Sequence, residues 1–77
     1  MNLSEAPVNK KLKIESIESG IDIRRKLTSV GIHYGDFVLK LNHAKWGPVL
    51  LCNLSSGSAK LALGRGLADQ ILVGYEA

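Results

Sequence analysis

The stretch LALGRGLADQILV, Leu61 to Val73, decides how this chain is read. Alternating Leu61 and Leu63 run into Gly64-Arg65-Gly66, and a second apolar run with Ile71 and Val73 follows at once. Glycine beside arginine suits a phosphate-cradling loop, and it equally suits a corner between two strands. A P-loop needs G-x-x-x-x-G-K-[ST], and a dinucleotide loop needs G-x-G-x-x-G at the start of a helix in a βαβ unit. Asp69 stands where the third glycine of the second pattern belongs, and so short a chain offers no βαβ frame. The stretch is therefore read as a strand-to-strand connection, with Gly64 to Asp69 a tight corner or one helical turn. Leu61 and Leu63 point inward from one strand and Ile71 and Val73 from the next. Gly64 and Gly66 supply the backbone freedom for the reversal. Leu67 or Ala68 plugs the end of the core, and Arg65 projects outward as a candidate contact residue.

Working back from this corner, Ala59 to Leu63 reads as one strand and Ser55-Ser56-Gly57-Ser58 as a turn before it. VLLCNL, Val49 to Leu54, is another strand, with Val49, Leu51 and Asn53 on one face and Leu50, Cys52 and Leu54 on the other. Lys45-Trp46-Gly47-Pro48 makes a hairpin turn to FVLKLNHA, Phe37 to Ala44. Both parities of that strand carry apolar residues, so periodicity leaves its inward face open. His33-Tyr34-Gly35-Asp36 is a turn. IDIRRKLTSVG before it predicts a helix, with Ile23, Leu27 and Val30 at i, i+4 and i+7. Gly31 is placed to close that helix in the left-handed conformation, and Ile32 to fold back on the last turn as in a Schellman motif. LKIESI, Leu12 to Ile17, alternates as a strand with Leu12 and Ile14 on one face. Ile17 breaks the parity, which predicts a bulge or the strand's end. Residues 1–10 read as a loose lead-in. Strands of this length between turn signals predict a small barrel or sandwich, with one domain spanning residues 1–77.

Composition narrows the function. A chain of 77 residues buries roughly 60% of its unfolded surface, which limits it to a small core. Ten Lys and Arg against seven Asp and Glu give a net charge of +3, clustered only at Lys10-Lys11-Lys13 and Arg24-Arg25-Lys26. Cys52 is the sole cysteine, so no internal disulfide forms, and a reducing cytoplasm is the expected setting. MNLSEAPVNKK has no apolar h-region, and no run approaches the ~20 apolar residues of a membrane span.

Catalytic and ligand patterns are weak. A Cys-His dyad would pair Cys52 with His33 or His43. Those histidines lie roughly 30 Å apart along an extended strand at ~3.3 Å per residue, and the hairpin register puts Cys52 nearer Lys40. Asp22, Asp36 and Asp69 sit at element edges, where caps and turns account for them. His33, His43 and Cys52 are the only soft or borderline metal ligands and are too dispersed for a closed four-ligand site, leaving weak transition-metal binding as the single cofactor reading. Single-stranded nucleic acid needs aromatic platforms in a basic groove. Tyr34, Phe37, Trp46 and Tyr75 are too scattered to make one, and no nucleic-acid partner is expected.

Three motifs in register carry a resemblance over about Leu12 to Val73. They are Lys26-Leu27 followed by Gly31-Ile32 and Gly35, the Gly47-Pro48-Val49 hairpin, and Leu61 to Ala68 closing on Ile71 and Val73. Together they resemble the FeoA family, the small cytoplasmic A proteins of bacterial ferrous-iron transport. The same domain is similar to the C-terminal part of iron-dependent repressors of the diphtheria-toxin-repressor type. The resemblance implies a mainly β fold, an SH3-like barrel of about five strands with a helix after the first strand and a short helical turn before the last. It implies a non-enzymatic accessory role at the cytoplasmic side of the membrane ferrous-iron transporter, which carries a GTP-binding domain. The alternative is a metal-responsive regulatory module. Residues 1–11 are too few for a helix-turn-helix domain, so operator binding is not expected. Two positions depart from the family pattern: Lys40, where an apolar residue is usual, and Lys45, where a proline often precedes the hairpin tip.

If a protein partner is bound, the expected contacts are Trp46 with Lys45 and Pro48 at the hairpin tip, Arg24 and Arg25 on the helix, and Arg65 at the corner. Trp46 could instead fold back over the end of the barrel.

Overall fold

The computed structural model describes residues 1–17, 20–43 and 46–76. Strand β1, Lys11–Ile17, alternates as its sequence dictates, with Leu12 and Ile14 fully buried between exposed lysines and Glu15. Its pairing with the last strand shifts register between Ile14 and Ser16, which is the irregularity the parity break at Ile17 implied. Helix α1, Ile21–Ser29, buries Leu27 and packs Ile23 against the core. Val30 is left exposed, because the helix ends there. Gly31 takes φ +92°, its N–H donates to the Thr28 carbonyl at 3.0 Å, and the Ile32 N–H donates to the Leu27 carbonyl at 2.8 Å. These are the two bonds of a Schellman motif, and Ile32 follows Leu27 into the core.

Strand β2, Phe37–Lys40, is shorter than the predicted Phe37 to Ala44, and its inward face carries Val38 and Lys40. The ladder runs one step further through the Leu41 N–H to the Leu50 carbonyl, at 2.8 Å. Strand β3, Val49–Asn53, buries Val49, Leu51 and Asn53, one of the two faces the sequence distinguished, together with Cys52 of the other. A 3₁₀ turn, Leu54–Ser56, leads to strand β4, Ala59–Leu63, then to helix α2, Arg65–Ala68, and strand β5, Ile71–Tyr75.

The five strands are antiparallel neighbours in the order β4-β3-β2-β1-β5. The mainly β fold is the expected one, but the sheet does not close into a barrel: among the described residues β4 and β5 remain edges. The link between them is a single helical turn, whose Ala68 and Leu67 pack into the core.

The same corner corrects a second expectation. Neither Gly64, at φ −59°, nor Gly66 adopts a positive φ, so the reversal makes no use of a glycine-only conformation. The reversal is the one helical turn that the sequence allowed, begun at the Gly64 carbonyl, which accepts from the Leu67 and Ala68 N–H groups at 3.1 and 3.0 Å.

The first ten residues are not a loose lead-in. Asn2 bridges to Leu72, the Leu3 N–H donates to the Ile71 carbonyl and the Val73 N–H to the Met1 carbonyl, both at 2.9 Å. Leu3 and Ala6 are fully buried. An edge strand presents unpaired backbone groups, and this segment satisfies part of the β5 edge. Burial of Leu3 adds about 1.5–3 kcal/mol to hold it there.

Candidate functional site

The hairpin between β2 and β3 is fixed by a polar staple. Asn42 Nδ2 donates to the Pro48 carbonyl at 3.1 Å, and Asn42 Oδ1 accepts from the Leu50 N–H at 2.9 Å. The staple replaces ladder bonds that the widening hairpin cannot make, and Trp46 and Pro48 project beyond it. Trp46 is 87% exposed, so it does not fold back over the sheet. Leu41 and Leu50 are also exposed, and with Pro48 they surround the hairpin with apolar surface. Lys45, the third residue expected here, lies outside the described residues.

Arg24 and Arg25 are exposed on α1, but they belong to the other end of the molecule. The C-terminal cap of α1 is tied to the last residue of β3, since Asn53 Nδ2 donates to the Gly31 carbonyl at 2.7 Å. The hairpin precedes the first residue of that strand. Arg65, by contrast, follows Leu63, which pairs with Val49 at the start of β3. The structure thus puts Arg65 at the hairpin end with Trp46 and Pro48, and separates Arg24 and Arg25 from all three. Arg65 also departs from the outward position expected of it. It is half-buried, and its Nε has no hydrogen-bond partner among the described residues.

Lys40 is the residue that sequence reasoning missed. It is 2% exposed, and its Nζ donates to the Ser4 carbonyl at 2.7 Å and the Ala6 carbonyl at 2.9 Å. Its own carbonyl accepts from the Asn9 N–H at 3.0 Å. Burial, and secondarily the Arg65 charge, lower its pKa from the ordinary lysine value. The signal was its departure from an apolar pattern at a position sharing the parity of Val38. The partners could not be inferred because they lie more than thirty residues upstream.

The chemistry-bearing side chains stay apart. His33 Nδ1 lies 3.4 Å from Asp36 Oδ2, in the turn before β2, while His43 is beyond its far end. Cys52 is buried opposite Leu39, one residue from the Lys40 expected, with its Sγ directed at the Ser58 carbonyl at 3.4 Å. Among the described residues no three His, Cys, Asp or Glu side chains converge. Asp36 is occupied structurally: its Oδ2 accepts from the His33 N–H at 2.9 Å and from Asn53 Nδ2 at 3.0 Å. At this end a groove of about 200 Å³ opens between Ile17, Arg24, Thr28, Ile32, His33 and Tyr34.

The FeoA domain model matches residues 1–74. The chain belongs to the FeoA family. A crystal structure of an iron uptake regulatory protein (FeoA) is 30% identical, covers 95% of this chain and 93% of its own, and superposes with a TM-score of 0.84. A FeoA-like protein from Clostridium acetobutylicum is 28% identical over 97% of this FeoA domain and 85% of its own chain, with a TM-score of 0.80. A manganese-dependent transcriptional repressor shares the fold, with a TM-score of 0.86 at 19% identity, over 99% of this chain and 41% of the repressor. No curated protein matches in sequence. FeoA proteins are small accessory proteins of ferrous-iron transport, and none of the helices described in this member is long and apolar enough to cross a membrane.

Proposed function

We propose that this FeoA protein is a non-enzymatic accessory factor of bacterial ferrous-iron uptake. It works in the cytoplasm, requires no cofactor, and binds the cytoplasmic part of the membrane ferrous-iron transporter, which carries a GTP-binding domain. Family membership supports the pathway. The observation that carries the contact is Trp46, 87% exposed on a stapled hairpin amid Pro48, Leu41 and Leu50. An exposed tryptophan among apolar neighbours contributes nothing to the monomer's core, and burying it against a partner makes the anchor that protein interfaces favour. Arg65, at the same end, adds a cation at the edge of that patch, and Lys45 continues it in sequence.

The test is calorimetric titration of the transporter's cytoplasmic domain with wild-type and Trp46→Ala protein. Loss of an anchoring aromatic costs at least about 2 kcal/mol, or about 25-fold in affinity, with no change in thermal stability. Equal affinities for the two proteins would remove the hairpin from the contact. The likeness to metal-dependent repressors favours one other reading, a metal-responsive regulatory module, which requires saturable Fe(II) or Mn(II) binding by the isolated protein.

A further inference from the structure

The end of the sheet opposite the hairpin holds a groove that the proposed contact leaves unused. Ile17 at the end of β1 contributes its apolar surface above the buried Ile32, Arg24 and Thr28 its helical wall, and His33 and Tyr34 its far side. At about 200 Å³ it falls below the ~300–1,000 Å³ of sites that enclose a whole small molecule or cofactor. Its size suits one bulky apolar side chain of something larger. The surroundings extend the same character. Ile21, 65% exposed, lies three residues before Arg24 on the same helical face, and Tyr34 stands 74% exposed at the rim.

The helical wall of the groove is predominantly basic. Arg24 lines the groove and Arg25 and Lys26 follow it on α1, Asp22 is the one acid of that helix, and none of the three cations forms an ion pair among the described residues. The carboxylate beside His33 is unavailable to them, because Asp36 is engaged by His33 and by Asn53. An arginine set in an apolar wall favours a carboxylate that it can grip with two parallel hydrogen bonds. We propose that the α1 groove is a docking site for a peptide segment of a protein partner, one carrying a bulky apolar side chain flanked by carboxylates. The apolar side chain seats against Ile17 and the Tyr34 ring, and a flanking carboxylate pairs with Arg24. A basic and apolar surface also attracts an anionic bilayer, but this one is concave and one side chain wide, which a flat headgroup layer does not fill. The proposal is independent of the hairpin contact, since the two surfaces occupy opposite ends of β3.

The test is an NMR titration of the full ¹⁵N-labelled chain with the blocked hexapeptide EELFEE, and with KKLFKK as its charge-reversed counterpart. The expected result is saturable shifts centred on Thr28, Ile32 and Tyr34 with EELFEE. KKLFKK should bind at least tenfold more weakly. Arg24→Glu should weaken EELFEE at least tenfold and narrow the gap between the peptides. Thr28→Phe, which fills the groove from its helical wall, should abolish the shifts in a protein whose remaining spectrum is unchanged. Trp46→Ala should bind EELFEE like the wild type, whatever it does to the transporter contact. Equal binding of the two peptides, shifts centred on residues 46–50, no saturable shifts, or co-sedimentation with phosphatidylglycerol vesicles in place of peptide binding would each overturn the proposal.

Discussion

Replacing Lys40 with Met tests whether the amino-terminal segment is held by a buried charge. Methionine keeps the length of the side chain and its apolar stem, so packing against Val38 and Leu51 is nearly conserved. The Ser4 and Ala6 carbonyls lose their donor. Each charge-assisted hydrogen bond is worth about 1.5–3 kcal/mol, and each buried carbonyl left unpaired costs about 1–3 kcal/mol. Against this, the substitution relieves the desolvation of Lys40 and its repulsion by Arg65. The orphaned carbonyls outweigh the relief, because a methionine at this position cannot recruit water to them. The expected net loss is about 2 kcal/mol, or about 8–16 °C in the melting temperature of a domain this size. Far-UV circular dichroism measures the melt. Hydrogen exchange then localises it, with the Leu3 and Val73 amides losing protection first, since both bond across the interface between segment and β5. A variant as stable as the wild type, with those amides still protected, would show that the segment is held by Leu3 and Ala6 alone and that the lysine is incidental.

The pH dependence of the same residue follows from the direction of its shift. Its folded pKa lies below the ordinary lysine value, so between the two the unfolded chain binds more protons, and stability rises with pH across that window. The clamp survives deprotonation, because a neutral amine still has one N–H for each carbonyl. Arg65→Gln should bring the Lys40 pKa back toward its ordinary value and flatten that rise, read from denaturant melts as a function of pH. Gly31→Ala should cost about 1 kcal/mol or more, since φ +92° strains any other residue. Gly66→Ala should be neutral or stabilise by up to about 1 kcal/mol, because the site is helical and open around a new Cβ. A destabilised Gly66→Ala protein in urea melts would contradict the helical description of the corner. Asn53→Leu removes the donor shared by Gly31 and Asp36 and the acceptor of the Ser55 N–H. It should cost about 2–3 kcal/mol and broaden the His33–Asp36 turn resonances.

Local rules carried most of the architecture. Alternation at Leu12 and Ile14 and at Ile71 and Val73 is a property of neighbouring residues, and each inward face followed from it, while at Val49, Leu51 and Asn53 it grouped the face without saying that it was the inner one. The Schellman close at Gly31 and Ile32 is equally local. What escaped was long-range. The inward face of β2 could not be assigned because Lys40 looked like a surface residue until its carbonyl partners arrived from residues 4 and 6. Leu3 and Ala6 looked like part of a loose lead-in because their host, the β5 edge, is almost seventy residues away. The corner at Gly64 to Asp69 was legible as a tight turn or one helical turn, and what escaped was that Arg65 to Ala68 reverse the chain with ordinary helical dihedrals, making no use of the glycines' freedom. Trp46 could be assigned to the hairpin but not to solvent, since its exposure depends on what the sheet beneath it leaves uncovered. Arg24, Arg25 and Arg65 share a charge in the sequence but not an end of the fold.

The position of Trp46 also determines what light reports about this protein. It is the sole tryptophan and already faces water in the native state. Its emission should therefore scarcely move when the chain unfolds, and a fluorescence melt would understate a cooperative transition. The same property makes the indole a nearly background-free sensor: a blue shift on mixing with another molecule means that the hairpin itself has been covered.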